Sequence, residues 1–196
     1  MTISVLRSLV LYYMGWFGAI VFASRGEPEL ATAMIGVVVL FGFLKGGLME
    51  VYLGTLAIML GLAVENIFLT IGATSYPESS YLSWSGFVPF WMLLLWPLFM
   101  RTLALGECLG WIRGKWVIAA LLGGVGGGLA YLGGTKFGAL EFPSSQMYSV
   151  VTIGLAWAVV FPLTIKFRMF FEASLFNPGK STMNDSTKNL DSGDTE

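Results

Sequence analysis

An all-α, polytopic membrane bundle of about six spans is the fold class this sequence predicts, and three observations predict it. The 196 residues are 56% hydrophobic and 12% charged, whereas a soluble domain carries about 25% charge; mean hydropathy is +0.75. The apolar residues gather in six stretches separated by short polar breaks. The chain then ends in a polar run, NPGKSTMNDSTKNLDSGDTE. Only helices and closed barrels satisfy their own backbone inside a bilayer, and barrel strands alternate polar with apolar residues. Stretches such as LATAMIGVVVLFGFL and YSVVTIGLAWAVVFPL are apolar throughout, so helices are expected.

A hydrocarbon core of about 30 Å takes about 20 apolar residues per helix. On that rule the spans fall near 5–23, 30–44, 48–72, 86–106, 117–135 and 148–165. The first could also be a cleaved leader, with MTISVLR as its charged start and Val21-Phe22-Ala23 before the cut. Tyr12, Tyr13 and Trp16 suit a retained helix near an interface better. The second span is short and is extended through Lys45, whose stem can snorkel. The third and fourth are long and are expected to tilt. In the fourth, Pro97 should free the Leu93 carbonyl and kink the helix just before Arg101, while Trp84 and Trp91 suit an outer aromatic belt. The fifth is thinned by glycine. Gly123/Gly127, Gly124/Gly128 and Gly134/Gly138 are pairs that let a neighbouring helix approach closely, and Gly106, Gly110 and Gly114 repeat the pattern earlier. The chain thus divides into a helical domain over 1–170 and a polar tail over 171–196. From Asn177 onward there is too little to bury to offset ordering, so that run is expected to be disordered.

Charge predicts orientation. With six spans, Arg7, Lys45, Arg113, Lys115, Lys166 and Arg168 fall on one side, against Arg25 and Lys136 on the other. The positive-inside rule puts the richer side, and with it both termini, in the cytoplasm.

The same residues exclude several chemistries. The chain has no histidine, which removes His-ligated metals, Ser-His and Cys-His dyads and HExxH proteases. All three aspartates, Asp185, Asp191 and Asp194, lie in the tail, so a pair of facing intramembrane aspartates is excluded. Cys108 stands alone in GECLGW, where Glu107 disfavours a thiolate. A net charge of -1 offers no footprint for nucleic acid. The glycine cluster GGVGGGLAYLGGTKFGAL lacks both GxGxxG spacing and a GK[ST], and no cofactor is expected.

Glu50, Glu65, Arg101 and Glu107 are the charges expected within or against the spans, where each is costly and normally faces protein or water. Gly47, Glu50, Gly54, Ala57, Gly61 and Glu65 recur at spacings of three and four, which puts them on one helical face. Glu50 and Glu65 then lie about 22 Å apart along the axis. Depth predicts an ion pair between Glu50 and Arg101, and a hydrogen bond from Tyr131 to Glu65. With no basic residue at its depth, a carboxyl at Glu65 favours the neutral, proton-carrying form. These pairs could fix helix register or form a ligand or proton site, and the sequence leaves both open.

The blocks GLAVENIFLTIG, PFWMLLLWPLF and GGVGGGLAYLGGTKFGAL resemble a family of small bacterial inner-membrane proteins known as domain of unknown function 2878. Glu65, Pro89, Trp91, Trp96, Gly127, Tyr131 and Gly138 occupy the places of that family's pattern, over roughly residues 50 to 165. Two positions depart from it: Glu65 stands where the family has aspartate and Gly128 where it has proline. The resemblance implies a bacterial inner membrane as the setting, and no activity. Three readings follow: a small permease, lipid-handling protein or accessory subunit of a membrane complex, which is favoured; an enzyme acting on a membrane lipid; or a structural assembly protein. The expected partners are the bilayer and either a membrane protein or a lipid ligand.

Overall fold

The computed structural model describes residues 2–80 and 88–176. Its helices are α1 (Ile3–Ser24), α2 (Pro28–Thr70), α3 (Phe90–Thr102), α4 (Trp116–Phe137) and α5 (Gln146–Phe176). Short 3-10 turns occupy Glu78–Ser80 and Gly110–Ile112. Helices α1 and α4 start and stop close to the spans expected at 5–23 and 117–135, because the same apolar runs fill them, whereas α2 runs through the second and third expected spans and α5 continues to Phe176, past the expected end at 165. Trp84 and the tail from Asn177 lie outside the described residues. Residues 171–176, which the sequence reading joined to the tail, are helical.

Helix α2 is continuous in hydrogen bonding but broken at Gly47, whose φ of 64° and ψ of -159° are non-helical. A side chain would be strained there, and glycine permits the turn. In an unbroken helix residues 43 and 54 would stand about 16 Å apart. Instead the Phe43 ring fills the space above Gly54, and Pro97 approaches the same glycine from α3. The chain therefore reverses at Gly47, giving two antiparallel arms over 28–46 and 48–70, which α3 packs against.

Two ends result. One gathers the start of α1, the Gly47 turn, the 103–115 connection and the far part of α5. There Arg101 donates to the Gly42 carbonyl at 2.9 Å, and Cys108 N–H donates to Ser8 Oγ at 3.3 Å. The other end gathers the three remaining connections. Ser75 and Glu141 exchange backbone hydrogen bonds of 2.9 and 2.8 Å, and Tyr148 Oη donates to the Ile71 carbonyl at 3.1 Å. Helix α4 closes there on Gly138 (φ 84°), with Gly138 and Ala139 N–H capping the Thr135 and Gly134 carbonyls.

The α4–α5 contact is built from glycine. A Cβ on Gly154 would lie 2.9 Å from the Gly124 carbonyl oxygen, and one on Gly128 would lie 3.1 Å from that of Val150. The backbones pass as closely as the glycine spacing predicted. The remaining predicted pairs differ. Gly138 is a helix cap, and Gly106 and Gly114 (φ 80° at each) are turn residues, because α3 stops at Thr102 and its predicted extension to 106 does not form. At 13 residues, α3 is about 20 Å long, shorter than a hydrocarbon core. It keeps helical geometry through Pro97.

Four helices, α1, α2, α4 and α5, are long and apolar enough to cross a membrane. Their outward faces are apolar too: Val37, Leu44, Met59, Leu121, Val125 and Leu155 are all more than half exposed. In water such a surface would aggregate, whereas against acyl chains it costs nothing to leave uncovered. The inward face of the second α2 arm is the predicted one, with Glu50, Gly54, Ala57, Gly61 and Glu65 all buried. Trp91, predicted for an outer belt, is fully enclosed against Tyr76 instead.

Candidate functional site

Two polar centres occupy the interior, one at each end of the second α2 arm. Glu65 anchors the first. Gly61, one turn earlier, leaves room for the Trp96 indole to lie against the helix. That brings Trp96 Nε1 to within 3.4 Å of Glu65 Oε1. Tyr131 of α4 donates a short hydrogen bond to the same oxygen, as its depth predicted. Tyr76 donates to Oε2 at 2.9 Å. The carboxyl group is fully enclosed and takes donors from three separate parts of the chain. No ion pair reaches it among the described residues; hydrogen bonds alone compensate its burial.

Beside this centre lies a cavity of about 420 Å³. Tyr12, Trp16 and Ile20 of α1, Trp96 and Phe99 of α3, and Trp157 and Phe161 of α5 form its apolar walls. Glu65 and Tyr131 form its polar pole. Gly123, Gly126 and Gly127 of α4 line it too; a Cβ on Gly123 or Gly127 would run into Trp157 of α5, so those two glycines seat that wall. A Cβ on Gly126 would meet nothing within 4 Å. Helices α1 and α4 touch near Phe17 and Phe137, whose rings are 6.1 Å apart. Toward the opposite end the half-exposed Tyr13 and Leu122 flank the cavity, which is open to the surface on that side.

The Tyr131 hydroxyl spends its hydrogen on Glu65, so its oxygen remains an acceptor. Trp157 stacks on Trp96, with centroids 5.1 Å apart. Its Nε1–H faces Tyr131 without completing a hydrogen bond. The pole therefore presents the Tyr131 oxygen as an acceptor, with the enclosed Trp157 Nε1–H beside it.

The second centre is a charge ladder. Glu50 and Arg101 do approach, at 3.8 Å, but Arg168 of α5 is the closer partner of Glu50. It donates to both Glu50 oxygens, one through a short contact, and also to the Met100 carbonyl at 2.9 Å. Glu172 receives Arg168 Nε at 2.7 Å and a short contact from Arg113. Arg101 also reaches Glu107 at 3.6 Å. Three arginines thus alternate with three glutamates, from Glu107 through Arg101, Glu50, Arg168 and Glu172 to Arg113. The ladder is neutral as a whole and ties α2, α3, α5 and the 103–115 connection together.

The structure brings Glu65 and Tyr131 together at the cavity, and Glu50 and Arg101 together at the ladder, with the two centres kept apart. Sequence reasoning missed Tyr76, Trp96, Trp157 and Arg168. Tyr76 sits in what reads as an outer loop, and it folds inward. Arg168 reads as one of several juxtamembrane cations, yet it is 2% exposed. The signal available for it was Glu172 four residues on, a spacing that places both charges on one helix face.

A protein family described as "Protein of unknown function (DUF2878)" matches residues 5–163. No curated protein and no solved structure matches the chain.

Proposed function

The chain belongs to the DUF2878 family, which carries no assigned activity, and from that premise we propose that it is a lipid-handling protein that binds a small amphipathic molecule from the bilayer. The observation that carries this reading is the cavity of about 420 Å³ with the Glu65–Tyr131 pole in its wall. Binding sites for small molecules are mostly apolar and aromatic, with a few convergent polar groups that fix orientation. This cavity has that composition, and its side opening faces the phase in which such a ligand dissolves. Glu65 orients the Tyr131 hydroxyl, and the Tyr131 oxygen receives a hydroxyl of the ligand.

Gly126→Trp tests this at the position in the cavity lining where an added Cβ meets nothing within 4 Å. Native mass spectrometry of the purified protein should show a small-molecule adduct in the parent and none in the variant, at equal thermal stability. The same adducts at the same occupancy in both would refute the reading.

The same proposal includes six crossings, with α2 contributing two and α3 completing one with its flanking residues, in the cytoplasmic membrane of a bacterium. The ladder end, richer in cations, faces the cytoplasm with both termini. Reporter fusions after Ser80 and after Lys166 should then report opposite sides, the first periplasmic. Activity on the same side at both positions would overturn the topology.

A further inference from the structure

A second hollow adjoins the ladder, and its walls include Arg7 and Ser8 of α1, Lys45 beside the Gly47 turn, and Arg101 and Glu107. Tyr12 lines this hollow and the large cavity alike, beside the place where Gly15 of α1 packs on Leu98 of α3. The charges here are unbalanced toward the positive. Arg7 and Lys45 are exposed and form no ion pair among the described residues; the Lys45 ammonium lies 5.7 Å from the Phe41 ring centroid. Arg101 holds its carboxylates only at 3.8 and 3.6 Å, and Glu50 is taken more closely by Arg168. Three cations therefore border a hollow in which Glu107 is the one acid not engaged by Arg168.

We propose that the ligand is an anionic, single-chain amphiphile whose phosphate is held by Arg7, Lys45 and Arg101 and whose chain passes Tyr12 into the aromatic cavity. This rests on the binding reading above and names the ligand's chemical class. The enclosed hollow is only about 30 Å³, space for one phosphoryl oxygen, so the headgroup lies across its mouth with Arg7 and Lys45 closing from outside. Guanidinium and ammonium groups make charge-assisted hydrogen bonds to phosphate, stronger than those to a neutral headgroup. The large cavity, at about 420 Å³, is at the small end of ligand pockets, which suits one chain rather than two. Along α4 its lining runs from Leu122 to Tyr131, about 13 Å of helix, so a hydroxyl carried well down the chain comes to the Glu65 pole.

The test uses the full-length protein in nanodiscs of phosphatidylcholine, with tryptophan fluorescence as the readout, since Trp16, Trp96 and Trp157 line the cavity. The probes are dodecyl phosphate, dodecanol and inorganic phosphate. Dodecyl phosphate should bind about tenfold more tightly than dodecanol. The double variant Arg7→Gln, Lys45→Gln should remove that advantage and leave dodecanol unchanged. Inorganic phosphate should not compete. Equal binding of the two amphiphiles, lost in Gly126→Trp, would overturn the headgroup assignment while leaving the cavity reading intact. Binding of neither would overturn both. Displacement of dodecyl phosphate by inorganic phosphate would make this a free-phosphate site and overturn the lipid assignment.

Discussion

Arg168→Met should destabilise the protein by about 3–5 kcal/mol, the cost of leaving a buried carboxylate without its partner. Glu50 is 8% exposed, and Arg168 is the residue that reaches both its oxygens. What remains after the change is Arg101 at 3.8 Å, too far for a hydrogen bond. Glu172 keeps Arg113, so the loss centres on Glu50. The double variant Glu50→Gln, Arg168→Met removes the stranded charge and should recover much of the stability, because a neutral amide is cheaper to bury than an unpaired carboxylate. Arg101→Gln should cost only about 1 kcal/mol, the worth of a single hydrogen bond to Gly42 with loosely held ion pairs at a 22% exposed side chain. Thermal unfolding in detergent of the four proteins reads these differences. Equal losses for Arg101→Gln and Arg168→Met would show that Arg168 is not the principal partner.

Gly154→Val should destabilise the protein by about 3 kcal/mol or more. Its Cβ would meet the Gly124 carbonyl oxygen at 2.9 Å. That atom is backbone, so it cannot rotate away, and the helices must separate along their whole contact. Gly126→Ala, on a different face of α4, meets nothing within 4 Å. It should be neutral or stabilise the helix by about 0.5–1 kcal/mol through reduced backbone freedom. Unfolding midpoints of the two variants in one detergent give the comparison. A Gly154→Val protein as stable as its parent would mean that α4 and α5 do not pack through glycine.

The fold was legible where one physical cause dominates. Runs of apolar residues set the helix positions, and the spacing from Glu50 to Glu65 correctly gave the buried face of the second α2 arm, because burial of a helix follows its period. The Glu65–Tyr131 contact was legible for a related reason: depth in a bilayer is a coordinate that sequence carries, at about 1.5 Å per residue. What depth cannot give is the azimuth around the bundle. Arg101 and Arg168 both come to the level of Glu50, and only the packing of α5 shows which one points at it. Tyr76 escaped for a different reason. A loop has no period, so nothing in TSYPESSYLSWS marks the residue that folds back over Glu65. Gly106 and Gly114 were misread because a turn and a helix contact both favour glycine, and spacing alone does not separate them.

Photo-crosslinking tests the central claim, that a bilayer molecule occupies the cavity beside Glu65, most directly. A fatty alcohol with a diazirine near the end of its chain, activated in vesicles containing the protein, labels whatever surrounds it, and peptide mass spectrometry locates the label. The account predicts labels concentrated on the cavity walls, at Trp16, Trp96, Gly127, Ala130, Tyr131 and Trp157, and their loss in Gly126→Trp. Labels confined to outward residues such as Val37, Leu44 and Met59, unchanged in Gly126→Trp, would contradict it.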